Sequence, residues 1–180
     1  NNIRCVNASA EEADLPHRHF DFIFCRWVLN FVPDPRKFIT RLISFLKPKG
    51  IIAFQDYWYE GLSFYPRGTA LDRLANIVRG YYKSGGGDPY ATGAVPGILR
   101  RQGVKLLEFI PHQLSGNSRS DVFEWAHRFF SIHIPLMAEK GLLSPGDSKK
   151  LFHDFKEFRS SSDSMFFSPI VVDIAGERSP

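Results

Sequence analysis

Cysteine is scarce in this chain of 180 residues: there are two, Cys5 and Cys25, with no CxxC pair and no Cys/His cluster. That disfavours a metal centre and fits free thiols. Both thiols fall in apolar runs and read as small hydrophobes of a reducing, cytoplasmic compartment. Histidine offers no metal pair either. His127 and His133 are six apart on a predicted helix and so point to different faces, where a metal needs a spacing of three or four. An excess of one charge sign is also missing. Lys and Arg number 23 against 19 Asp and Glu, a net charge of +4, and the cations are scattered. A nucleic-acid partner is therefore not expected. No apolar run approaches the ~20 residues that span a bilayer. The start, "NNIRCVNASAEEADLP", has neither the basic beginning nor the apolar stretch of a secretion signal. No membrane partner is expected. No GxSxG occurs, which disfavours a serine nucleophile.

What is present is apolar and aromatic surface. At 43% hydrophobic and 14% aromatic residues, the length suits one domain with a substantial core. "IRCV", 3 to 6, is a strand candidate, followed by a polar loop that Pro16 closes. "FDFIFC", 20 to 25, is apolar except for Asp21, as in a parallel strand covered on both faces. It ends on Arg26 and Trp27, a cation and a large ring at the point where a buried strand reaches water. Asp34 and Pro35 then read as N-cap and first helical residue. Phe38, Leu42, Ile43 and Leu46 follow at helical spacing until "KPKG". "IIAFQDYW", 51 to 58, is a second buried strand, so the stretch forms a βαβ unit with a parallel pair.

Further on, Leu71, Leu74, Val78, Tyr81 and Tyr82 share one face of a helix over 69 to 83, and "SGGGDP" makes a turn. A short helix carries Pro96 in its first turn and ends before Gly103. "VKLLEFIPHQL" is a strand. An aromatic helix over 120 to 140 holds Val122, Trp125, Phe129 and Phe130, with a kink expected at Pro135. Another begins at Ser144 and turns Leu151, Phe152, Phe155 and Phe158 toward a core. "FFSPIVVDIAG" supplies the last strand.

The succession "ASAEEADLP", "FDFIFCRWVLNFVPDPRKFITRLISFLKPKGIIAFQDYW", "GGGDPYATGAVPGILRRQGVKLLEF" resembles the C-terminal part of a class I S-adenosylmethionine-dependent methyltransferase. Its "LKPKG" departs from the family's LKPGG at Lys49. The resemblance implies an α/β, Rossmann-like sheet of order 3-2-1-4-5-7-6 with the cofactor across the carboxyl ends of its parallel strands. Residues 3 to 6 would be strand 3, 20 to 25 strand 4, 51 to 56 strand 5, 104 to 112 strand 6 and 167 to 175 the antiparallel strand 7. Strands 1 and 2, with their glycine-rich turn, have no counterpart, so the edge of "FDFIFC" is expected to be unpaired. An upstream segment of about 60 residues, two strand-helix units, is the expected complement, with a rearranged dimer as the alternative. The chain reads as a single domain over 1–180, with 57–103 and 115–165 forming mostly helical lid and substrate regions inserted after strands 5 and 6.

For site residues the resemblance implies Ser9 and Ala10 at the adenine, and Cys25, Arg26 and Trp27 beside the methionine moiety. Arg26 is suited to a carboxylate and Trp27 to an aromatic or cationic surface. Asp56, Tyr57 and His112, at strand ends on the same rim, are the candidate catalytic groups. Trp58, Tyr59, Trp125 and Phe129 are candidate walls for the substrate, although most of the aromatic excess is expected to be core. The function implied is S-adenosylmethionine-dependent methyl transfer to a small-molecule acceptor. The alternative is a degenerate methyltransferase-like domain that binds a partner or dimerises, and a homodimer is left open.

Overall fold

The computed structural model describes residues 2–180. Its strands and helices are, in chain order, β1 (Phe20–Arg26), α1 (Pro35–Phe45), β2 (Leu46–Trp58), β3 (Ser63–Tyr65), α2 (Leu74–Ser84), α3 (Val95–Arg101), β4 (Val104–His112), β5 (Ser115–Asn117), α4 (Asp121–Glu139), α5 (Pro145–Ser160), β6 (Met165–Phe167) and β7 (Ile170–Arg178). Three helices start on side-chain caps that satisfy otherwise orphaned N–H groups. The Asp34 carboxylate accepts from Lys37 N at 2.9 Å, and Ser120 and Ser144 do the same for α4 and α5. Pro35 and Pro145 then fill first-turn positions where no N–H is required.

The main sheet has the order β1-β2-β7-β4. β1 and β2 are parallel, while β7 runs antiparallel to both of its neighbours. This is the 4-5-7-6 half of the expected arrangement. β2 begins earlier than its apolar run, at Leu46, and takes in "KPKG". Within that turn Lys49 has φ 61, a left-handed backbone that glycine adopts without cost and lysine does not. At Gly50 the chains approach too closely for a side chain, since a Cβ there would lie 2.9 Å from the Lys47 carbonyl oxygen.

Strand alternation divides the sheet into two unlike faces. Cys25, Ile52, Phe54, Val172 and Ile174 point to one side, where α1 brings Phe38, Ile39 and Ile43 and α3 brings Val95, Ile98 and Leu99. The opposite face is open over Phe22 and Phe24, which are 56% and 57% exposed. β1 is therefore not covered on both faces, because α1 and α3 lie on the same side. Its outer edge has no strand partner among the described residues. Residues 3 to 6 form no strand, and Ile3 is 78% exposed; their backbone groups are left to water. Cys5 is accordingly exposed rather than packed.

A second apolar cluster gathers Phe64, Leu74, Phe123, Phe130, Leu151, Phe155, Phe158 and Phe166. Phe166 sits in the middle of a small antiparallel sheet, β3-β6-β5, that the sequence did not suggest. Its strands of three residues are too short to show alternation. On α5 the inward stripe is Leu151, Phe155 and Phe158, whereas Phe152 lies outside it and is exposed. α4 continues through Pro135. Among the described residues no helix is long and apolar enough to cross a membrane.

Candidate active site

The open face of the sheet carries two adjacent rows of side chains where the parallel strands end. Register pairs Arg26 with Gln55, Gln55 with Asp173, and Asp173 with Ile110. One step nearer the strand ends, Tyr57 pairs with Val171 and Val171 with His112. All of these but Ile110, together with Trp27 above β1, Asp121, Val122 and Trp125 from the first turns of α4, and Leu114, Ser168 and Pro169, border a cavity of about 650 Å³. That size suits a small-molecule ligand.

Trp27 enters this cavity against the alternation of β1. Arg26 faces the open side, so the next residue of a regular strand would face the helices. Trp27 has φ 55, and this left-handed step swings its ring back to stack on Tyr57, with centroids 5.2 Å apart and planes at 19°. The turn is pinned from below. The Trp27 N–H donates to the Gln55 carbonyl oxygen at 3.0 Å. The N–H groups of Val28 and Leu29 both donate to Asp56 Oδ2 at 2.8 Å, and that of Tyr57 donates to Oδ1 at 2.9 Å.

Asp56 is fully buried and stands on the helix side with Phe54. Burial raises its pKa while the three N–H donors oppose that shift. It does not border the cavity, so the structure replaces its expected catalytic role with a positioning one. Burial also keeps the Tyr57 hydroxyl protonated well beyond the usual range. Its ring forms part of the cavity wall.

The aromatic wall continues from Tyr57 to Trp125, with centroids 6.1 Å apart and planes at 27°. Trp125 in turn stacks on Phe129, and Phe129 on His133 at 3.9 Å. At the other end the Arg26 guanidinium lies 4.2 Å from the Trp27 ring centroid. Among the described residues no carboxylate pairs with it.

Across the cavity, His112 Nε2 lies 2.9 Å from Asp173 Oδ2. The other oxygen of Asp173 accepts from the Gln55 side-chain amide at 2.7 Å. His112 is half exposed toward the cavity.

The structure thus assembles Arg26, Trp27, Tyr57, His112 and Trp125 from four distant segments. The other expected site residues lie elsewhere. Cys25 faces the core, where burial pushes its thiol up to about 12. Ser9 and Ala10 sit in an exposed turn outside the cavity lining, and the Ser9 hydroxyl accepts from Glu11 N at 3.3 Å. Trp58 packs on the helix side beside Gly93. Tyr59 is buried in the second core against Tyr82, and Phe129 backs Trp125 without reaching the cavity.

Sequence reasoning missed Gln55, Asp173 and Asp121. A signal was available for two of them: "IIAFQDYW" and "IVVDIAG" each place a polar side chain in an otherwise apolar strand, which calls for a partner or a ligand.

Residues 1–54 match the family described as methyltransferase domain. Among solved structures, a candidate methyltransferase from Bacillus halodurans C-125 superposes with a TM-score of 0.62 at 15% identity, covering 99% of this chain and 78% of that one. The YcgJ protein of Bacillus subtilis gives 0.58 at 16% identity, covering 100% and 73%. A candidate sarcosine dimethylglycine methyltransferase from Galdieria sulphuraria gives 0.52 at 15%, covering 96% and 57%. No curated protein matches the chain. The fold is that of the class I methyltransferases, and the cavity lies at the strand ends where such α/β sheets hold ligands.

Proposed function

We propose that the chain takes part in S-adenosylmethionine-dependent methyl transfer to a small-molecule acceptor. The observation that carries this reading is the convergence of Arg26, Trp27, Tyr57, His112 and Trp125 on one cavity at the strand ends of a methyltransferase fold.

The residues present fit the charged end of the donor. Arg26 is a guanidinium without a carboxylate partner, suited to the amino-acid carboxylate. The rings of Trp27 and Tyr57 border the cavity next to Arg26 and give the adjoining methionine chain an apolar bed. The adenosine end has no such match, since Ser9 and Ala10 stand apart from the cavity. When bound, S-adenosylmethionine supplies a methyl group on a sulfur leaving group.

The protein's own share is alignment and exclusion of water. Arg26 anchors one end of the row, and the aromatic wall keeps the middle dry. His112 stands on the far strand, three strand spacings or roughly 14 Å away, which leaves room for an acceptor beside it. The Galdieria relative's name, with its small amino-acid acceptors, agrees with a small-molecule acceptor here.

Calorimetric titration with S-adenosylmethionine and S-adenosylhomocysteine tests the reading. Both are expected to bind competitively, with Arg26→Met weakening each about tenfold or more, the usual worth of a charged hydrogen bond. Equal binding by that variant, or none by the parent chain, contradicts it.

One observation favours a second reading, a partner-binding or dimerising methyltransferase-like domain. The open edge of β1 with exposed Phe22 and Phe24 is an edge that pairs readily with another strand. Sedimentation of the chain together with its Phe22→Lys variant separates the two, because only the partner-binding reading predicts a charge-sensitive assembly.

A further inference from the structure

We propose that the acceptor is a weakly acidic hydroxyl on a flat unsaturated frame, a phenol or an enol, and that His112 removes its proton through Nδ1. This rests on the methyl-transfer reading and specifies its substrate class.

The tautomer carries the argument. Asp173 Oδ1 accepts from the Gln55 amide and Oδ2 lies 2.9 Å from His112 Nε2. A carboxylate held in this way accepts, so Nε2 is the nitrogen that bears hydrogen. Nδ1 then carries the lone pair. It has no partner among the described residues, and the His112 ring is half exposed on the cavity side. A carboxylate behind a histidine fixes the ring and stabilises the imidazolium that forms, as in other acid-base pairs.

The shape of the cavity selects the acceptor. Its walls are mainly the rings of Trp27, Tyr57 and Trp125 with Leu114, Val122, Pro169 and Val171, a lining that suits a planar apolar body. The charged and titratable groups that face His112 are Asp173 from β7, Tyr57 from β2, Asp121 from α4 and Arg26 from β1. Tyr57 remains neutral. Arg26 stands at the opposite end of the cavity, beside the donor, and the free Nδ1 calls for an acceptor that arrives with a proton to give up.

In the step itself, the acceptor O–H bond breaks, its electron pair stays on oxygen and the proton forms a bond to Nδ1. The Nε2–H continues to donate to Asp173, which takes no proton. The oxygen pair then forms the bond to the methyl carbon of the sulfonium donor as the carbon–sulfur pair leaves with sulfur.

The probe is 4-nitrophenol, whose phenolate absorbs separately from the phenol, added to the full chain without methyl donor. Bound nitrophenol is expected to ionise about tenfold more readily than free nitrophenol. His112→Gln should abolish that shift while leaving binding in place, and Asp173→Asn should reduce it. Trp125→Ala should weaken binding of both forms. Bound nitrophenol that titrates alike in the parent and in His112→Gln overturns the proposal, as does a failure of nitrophenol to bind the parent. A retained ionisation shift with no S-adenosylmethionine binding in calorimetry would sink the methyl-transfer reading alone.

Discussion

Trp27 owes its place in the cavity to one backbone angle. A non-glycine residue with φ 55 costs on the order of 1 kcal/mol, and such strain persists only where the surroundings enforce it. Here three hydrogen bonds to the residues around it do so. The ring and the backbone contributions can therefore be separated by substitution. Trp27→Gly and Trp27→Ala both lose the stack on Tyr57, but only alanine keeps the left-handed strain. Urea denaturation is expected to show the alanine variant less stable than the glycine one by about 1 kcal/mol. Equal stabilities would mean that the turn is not held as described. From the sequence, the pair Arg26–Trp27 was legible as a candidate because a cation and a ring end a buried strand. That both face one pocket was implied by the resemblance and not by alternation, which a single positive φ reverses.

At the scale of elements, Asp56 ties the end of β1 to β2. Its two oxygens receive three backbone N–H groups, at 2.8, 2.8 and 2.9 Å. Asp56→Ala leaves those donors buried without partners, a loss of about 3 kcal/mol or more at 1–3 kcal/mol for each group. Asp56→Asn retains one acceptor oxygen but sets its amide hydrogens against an N–H, and should cost roughly half as much. Thermal melts of the two variants check the order, and an alanine variant as stable as the parent would refute the clamp. Alternation along β2 already contained the answer, since Asp56 shares its face with Phe54 and not with Gln55 and Tyr57. The resemblance outweighed it by pointing to an acid at a strand end. The elements read correctly were those with strong local signals: the Asp34–Pro35 start of α1, the Ser144–Pro145 start of α5, and the apolar strands 20–25 and 51–58. β3, β5 and β6 had none, and the run at 3–6, four residues long, forms no strand.

Across the whole molecule, two apolar cores bury groups that ionise in alkali. The Cys25 thiol moves from its ordinary 9.0 to about 12, and the Tyr57, Tyr59 and Tyr82 hydroxyls all move upward through burial. In each case the folded chain holds its proton to a higher pH than the unfolded chain does. The stability these groups contribute is complete below the unfolded values and is lost as pH rises toward the folded ones. The urea midpoint should therefore fall between pH 9 and 12, and a flat profile there would contradict the burial of these groups. Thiol labelling gives an independent reading of the same core. One cysteine, the exposed Cys5, should react in the native protein, and both in denaturant. The order β1-β2-β7-β4 was anticipated at this scale because strand spacing and the antiparallel return belong to the resembling family. The cavity's polar network was not, because Gln55, His112 and Asp173 are joined only across the sheet register.

The central claim is that the two rows between Arg26 and His112 form a single ligand site with the methyl donor at the β1 end. The most direct measurement is the nuclear Overhauser contact between the methyl group of carbon-13-labelled S-adenosylmethionine and the protein's ring protons. The account predicts cross-peaks to Trp27 and Tyr57 that disappear when S-adenosylhomocysteine is added in excess. A methyl group that contacts neither ring, or contacts only residues of the exposed N-terminal stretch, would contradict it.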